Sequence, residues 1–363
     1  MVLTLKGVAL EEAPSSPTGL FQQQPGLKEA SGALVTEKSQ VLGPQGLLYV
    51  STREYAVTYS HDSKVLVVGT DDVTTGLVVV LRHPTSGAVG LAQLDRLTEE
   101  GVATFLQKIA SLAYGYEGRT EVHLVGAFAD TKGLGAALVT AVLGCLHRQR
   151  TSLELVTLCV GELCTVRRSG TPWPLLYGLG VNVKTGDIFP AQFTDKGPDM
   201  DLRTARTLTG GEAVGLMDIY DYQREELRIG PFTYEPMRAV DIWLQQTDEF
   251  VLQSLHPCPE VSPPSFLPLL RQTLKRIKQD PYPSVSVFGS NQPRLYRKDE
   301  HSGQWVRCTK EPEGWGGVPG VPGVPGVPGV PGVGTAPQQH GFKQEPVPTW
   351  PAGIPVQTLQ QYY

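Results

Sequence analysis

Two short β-branched runs, Val65–Val68 and Leu77–Leu81, stand on either side of a small polar cluster made of Thr70, Asp71, Asp72, Thr74 and Thr75. Runs of this length, rich in valine and bounded by turn residues, predict a strand, a polar turn and a buried strand. A polar turn pinned between two core strands has its geometry fixed by them, which makes it a good place for chemistry. Its last position, just before the apolar run begins, is Gly76. No Ser, Cys or His stands at the tip. The scaffold of a site is present without a nucleophile.

Further elements surround this unit. Leu47–Val50, Tyr55–Tyr59 and Val89–Leu94 read as strands. Val102, Phe105, Leu106, Ile109 and Leu112 recur at helical spacing and predict an amphipathic helix over Thr98–Tyr114. Strand Val122–Phe128, helix Gly133–Arg150 and strand Leu153–Val160 follow. The second half opens with a hairpin, Leu175–Val183 and Asp187–Phe193, then a helix over Met200–Leu208. A second hairpin pairs Gly215–Tyr220 with Glu226–Ile229. Helices Val240–Leu255 and Phe266–Gln279 come next, the latter stopped at Asp280-Pro281. Strands Val285–Phe288, Arg294–Lys298 and Trp305–Cys308 complete the series. Hairpins mixed with helices predict an α+β fold, with mixed, largely antiparallel sheets and helices packed outside.

Two flanking segments differ in character. Residues 1–40, with Pro14, Pro17, Pro25 and the run Gln22-Gln-Gln24, predict a variable segment: a short strand, then a loosely held helix or loop. Residues 309–363 carry five Val-Pro-Gly units, too few for a collagen-like triple helix, and predict a disordered Pro/Gly-rich tail. Within it Phe342-Lys-Gln-Glu345 fits the short pattern for SUMO attachment. The organisation expected is thus 1–40, 41–308 and 309–363.

Composition narrows the class. A net charge of −5 argues against a nucleic-acid partner. Five cysteines without regular spacing suit a reducing compartment, cytoplasmic or nuclear, better than a disulfide scaffold. No segment approaches the roughly 20 apolar residues that span a bilayer, so no membrane partner is expected. The seven histidines form no HxxxH pair or Cys-His cluster, and no metal or other cofactor is expected. Gly133-Leu-Gly135 lacks the third glycine and the downstream acid of a dinucleotide fingerprint and marks only a helix start. A soluble monomer is the expectation.

A resemblance enters through blocks spread along the chain in order. They are Val41-Leu-Gly-Pro-Gln-Gly-Leu-Leu-Tyr-Val50, Asp71-Asp-Val-Thr-Thr75, Val79-Val-Leu-Arg-His83, Glu121-Val-His-Leu-Val-Gly126 and Leu155-Val-Thr-Leu-Cys-Val160. Asn182-Val-Lys-Thr185, Arg203-Thr-Ala-Arg-Thr-Leu208 and Leu227-Arg-Ile-Gly-Pro231 continue the series. Together they resemble the protein N-terminal asparagine amidohydrolases over about residues 40–308. The resemblance implies deamidation of an N-terminal Asn to Asp, which feeds the arginylation branch of the N-degron pathway. A Cys thiolate attacks the side-chain amide, ammonia leaves, and water hydrolyses the thioester. Such chemistry needs an activated thiol, a proton carrier and donors for the oxyanion.

Here the chain departs from the family. The position of the nucleophilic Cys, directly after the Asp-Asp-x-Thr-Thr run, is Gly76. By the spacing in the related chemoreceptor glutamine deamidases of bacteria, the partner His falls at Gln93, which cannot shuttle a proton near neutral pH. Losing a covalent nucleophile removes on the order of 10⁶ of the rate. A catalytically degenerate member is expected, one that still recognises peptide or protein N-termini bearing Asn if the pocket is retained. Asp71, Asp72, Thr74 and Thr75 are the candidate substrate-binding residues. A carboxylate there can hold a substrate's α-ammonium, or simply cap the strand junction as an Asx turn. Two alternatives remain. One is an active deamidase with a displaced nucleophile: Cys164 beside Arg167 and Arg168, Cys159, Thr74 or Thr75. The other is an interaction protein acting through its Pro/Gly-rich tail.

Overall fold

The computed structural model describes residues 3–211 and 214–308, and the predicted tail with its repeats and its SUMO pattern lies outside them. The apolar run at Leu77 becomes the strand Leu77–His83, bonded antiparallel to Ala88–Leu94 on one side and to Thr120–Phe128 on the other. Its alternate residues face two different cores. Leu77, Val79 and Leu81 pack among helices, whereas Val78 and Val80 face a second sheet. A strand covered on both faces cannot alternate apolar with polar, hence its unbroken valine and leucine. Each fully buried side chain of this kind is worth about 1.5–3 kcal/mol.

Eight strands form the main sheet. Their spatial order is Met217–Asp218, Glu54–Tyr59, Ala88–Leu94, Leu77–His83, Thr120–Phe128, Leu153–Gly161, Leu3–Leu5 and Val8–Ala9. Thr120–Phe128 and Leu153–Gly161 run parallel, so the helix between them, Leu134–His147, crosses over one face. Asp130 starts that helix: its carboxylate accepts from the amides of Leu134 at 3.1 Å and Gly135 at 2.8 Å. Helix Glu99–Leu112 lies on the same core, burying Val102, Phe105, Leu106 and Ile109 as its periodicity predicts. On the other face sits a five-stranded sheet ordered Gln40–Leu42, Ile188–Phe193, Leu179–Asn182, Val67–Thr70, Leu47–Tyr49. The turn 71–76 carries the chain from this second sheet into the first.

The fold is α+β with mixed sheets, as expected, and several local readings need correction. Residues 3–40 are packed rather than loosely held. They form Leu3–Leu5, Val8–Ala9 and helices Pro17–Gln23 and Pro25–Thr36, burying Leu20, Leu27 and Leu34. Ser31 ties helix Pro25–Thr36 to strand Leu153–Gly161, its hydroxyl accepting from the Leu158 amide at 2.8 Å. The apolar stretch at Val285 is a short helix, Pro283–Ser286, with proline in its first turn. The helix expected over Val240–Leu255 breaks into Val240–Gln245 and Asp248–Leu255, where Thr247 caps the second by accepting from the Phe250 amide. Met217–Asp218 leaves its expected hairpin and pairs with Glu54 and Tyr55 in the main sheet, while Tyr220–Asp221 pairs with Glu226–Leu227. Thr165–Arg168 and Thr171–Pro174 form a hairpin that carried no sequence signal. Among the described residues no helix is long and apolar enough to cross a membrane.

Candidate active site

The strands bring residues 76 and 93 onto one surface. Side chains alternate along Leu77–His83, so residue 76 shares the face of Val78 and Val80, directed at the second sheet. Gln93 pairs with Val78 and therefore lies on that face, diagonal to Gly76. Gln93 is buried, and its carbonyl oxygen accepts from the Thr70 hydroxyl at 2.7 Å. This bond links the end of Val67–Thr70 to Ala88–Leu94 across the two sheets. Gln93 thus has a structural partner in Thr70.

Gly76 is held closely by backbone. Its carbonyl accepts from the Ala127 amide at 2.7 Å. A Cβ added there would meet the Leu94 carbonyl oxygen at 2.9 Å, tighter than ordinary contact. Its φ is not positive, so the approach of Leu94, and not the backbone conformation, is what favours glycine. Gly126, at φ +111, faces the same point from the next strand, where a Cβ would lie 2.9 Å from the Gly76 carbonyl oxygen.

The acidic pair is occupied. Asp71 Oδ1 accepts from the Tyr49 hydroxyl at 2.9 Å and lies 2.7 Å from Lys196 Nζ, while Oδ2 accepts from the Phe193 amide at 2.8 Å. Asp72, at φ 59, bonds Lys196 Nζ and accepts from the Ser265 hydroxyl at 2.6 Å. Burial pulls the Lys196 ammonium down, but the carboxylates of Asp72 and Asp71 outweigh it and hold the group above its ordinary value. Burial and the same two carboxylates push the Tyr49 phenol well up. Thr74 is buried and Thr75 half-buried in the same turn. The turn's middle is fixed by the Val73 amide donating to the Tyr177 carbonyl at 2.8 Å.

Behind this pair lies a buried ion pair that the sequence did not disclose. Arg203, on helix Met200–Thr209, meets Glu54 with Nε at 3.0 Å from Oε1 and Nη2 at 2.5 Å from Oε2. Both side chains are almost wholly enclosed, at 0% and 1% exposure. Arg203 also donates to the Tyr49 carbonyl at 2.9 Å and the Lys196 carbonyl at 3.2 Å. It joins the main sheet to the residues that hold the Asp pair. The block Arg203–Leu208 was visible as a motif, but nothing in it names Glu54.

The other thiols are poorly placed to react. Cys164 is buried and donates to the Gly126 carbonyl at 3.0 Å; burial and the nearby Cys159 push it well up. The lowering expected from its arginines does not occur, because burial dominates; Arg167 instead pairs with Glu162 at 3.2 Å and Arg168 stacks 4.9 Å over Trp173. Burial pushes Cys159 up to about 12. Among the described residues no group of three or more His, Cys, Asp or Glu could hold a metal ion.

The scaffold is a mixed α+β one in which a polar turn feeds the central strand of the main sheet. The family model for protein N-terminal asparagine amidohydrolase matches residues 37–307, and the chain belongs to that family. It is 42% identical over 302 residues to the protein N-terminal asparagine amidohydrolase of Sus scrofa, covering 83% of this chain and 96% of that one. The Homo sapiens protein of the same name is 41% identical over 298 residues, 82% and 95% of the two chains. That of Arabidopsis thaliana is 27% identical over 288 residues, 72% and 81%.

Proposed function

We propose that this chain binds protein N-termini bearing Asn without turning them over. Such a member would hold substrates of its active relatives, or regulate those relatives, in the N-degron pathway. The observation that carries this reading is Gly76: the turn, its strands and Gln93 converge on a point where the chain offers no nucleophile. Two further facts support it. Cys164, whose thiol donates to the Gly126 carbonyl, is buried and held protonated, and Gln93 is engaged with Thr70. A deamidase with a displaced nucleophile at Cys159 or Cys164 is opposed by the burial of both thiols, and one at Thr74 or Thr75 would need a base that Gln93 cannot supply.

The test is ammonia release from a peptide with N-terminal Asn, by the parent and by a Gly76→Cys, Gln93→His double variant, with peptide binding measured beside it. The expected result is a silent parent that binds the peptide and a double variant that releases ammonia. Gly76→Ala serves as control for the contact with Leu94, and should keep the parent's affinity. Ammonia from the unmodified chain would end the reading. A parent that neither binds nor hydrolyses the peptide would end it as well.

A further inference from the structure

The carboxylates of Asp71 and Asp72 converge on one cation that comes from elsewhere in the chain. Lys196 Nζ bonds both, and also lies 5.6 Å from the centroid of the Tyr49 ring. Two carboxylates beside an aromatic face are the chemistry that recognises a primary ammonium. The two carboxylates have partners besides the ammonium. Asp71 is held separately by the Tyr49 hydroxyl and the Phe193 amide, and Asp72 by the Ser265 hydroxyl. Lys196 lies between strand Ile188–Phe193 and helix Met200–Thr209, with its carbonyl pinned by buried Arg203. The backbone is therefore fixed, while the ammonium rides on a flexible four-carbon stem whose side chain keeps 18% of its surface exposed.

We propose that Asp71, Asp72 and the face of Tyr49 form a site for a primary ammonium, that Lys196 is its resident occupant, and that a peptide's α-ammonium binds by displacing it. The proposal rests on the reading that the chain binds N-termini, and it names the chemistry and the internal competitor of that binding. A tethered competitor acts at an effective concentration in the millimolar range. It lowers the affinity for every N-terminus, and it leaves bound only those peptides whose further contacts compensate for expelling Lys196. An acetylated N-terminus, without charge, cannot take its place.

The test uses the full chain. Lys196→Ala leaves a space the size of n-propylammonium. Thermal unfolding of parent and variant is followed in n-propylammonium, sodium and tetramethylammonium chlorides at equal ionic strength. The expected result is that n-propylammonium alone raises the variant's Tm, and that the parent responds to all three salts alike. A variant without that selective response overturns the proposal. A fluorescent peptide with N-terminal Asn, free or acetylated, supplies the second measurement. The free form is expected to bind Lys196→Ala and Lys196→Gln about tenfold tighter than the parent or more, with no change for the acetylated form. Equal affinity of the free peptide for parent and variants leaves N-terminus recognition standing and overturns the role of Lys196. Selective stabilisation by n-propylammonium with no peptide binding keeps the ammonium site and ends the N-terminus reading. Should both variants fail to fold, the parent decides. The NMR resonance of the Lys196 Cε–Hε group should move on saturation with the free peptide and stay in place with the acetylated one, and an unmoved resonance overturns the proposal.

Discussion

Replacing Arg203 with Met removes one half of the Glu54–Arg203 pair and leaves a carboxylate enclosed at 1% exposure. Breaking a buried pair from one side costs about 3–5 kcal/mol, because the remaining charge keeps its desolvation penalty and loses its partner. Glu54 would retain the Ser51 amide at 2.9 Å as a donor, which places the cost near the middle of that range, about 4 kcal/mol. Unfolding entropy of roughly 2.1 cal/mol/K per residue, over a unit of about 300 residues, gives about 0.6 kcal/mol/K. The expected fall in Tm is therefore about 6 °C by calorimetry. Glu54→Gln should cost a comparable amount, and the double variant should fall short of the sum of the two by about 2 kcal/mol or more. Two single variants that each lose less than about 1 kcal/mol, or a double variant equal to their sum, would refute the claim that this pair is dry and coupled.

Cysteine labelling gives a second check. At neutral pH iodoacetamide should modify half-buried Cys308 well before Cys145, Cys159, Cys164 or Cys258, all of which are buried and need unfolding to react. A third concerns His123, whose Nδ1 lies 2.9 Å from the Thr157 hydroxyl while its Nε2 has no hydrogen-bond partner. Burial, aided by Arg82, brings this imidazole down to about 4. Unfolded, it titrates near 6.5, so its contribution is whole above that pH and is withdrawn as pH falls from about 6.5 to 4, by at most about 1.4 kcal/mol per unit. His123→Gln should flatten the acid limb of a Tm-against-pH curve over that window, and an unchanged limb would show that His123 is not buried neutral.

Much of the fold could be read because its signals are local. The doubly covered strand Leu77–His83 declares itself by unbroken apolar residues, and helix Glu99–Leu112 by its spacing. The misread pieces are those decided by distant partners. Met217–Asp218 is too short to fix its own pairing, and Glu54 and Tyr55 settle it. In Pro283–Ser286 a proline at the first helical position outweighs two β-branched valines nearby. The site divides the same way. Gly76, Gln93 and the Asp pair were legible as a motif with substitutions. Tyr49, Lys196 and Ser265, which reach the turn from three other parts of the chain, and the Glu54–Arg203 pair behind them were not, since they share no spacing with it.

The closeness of Leu94 to Gly76 also gives residue 76 an uneven mutational path. Giving up a side chain there takes one substitution and lets the backbones sit as they do now. Regaining one takes the reverse substitution and a retreat of the Leu94 carbonyl, 2.9 Å from the new Cβ, in a strand bonded along both edges. Overpacking of this kind costs about 1–3 kcal/mol. Any side chain placed at position 76 therefore meets a packing cost that glycine avoids. The backbone acts as a ratchet on whatever chemistry position 76 can host.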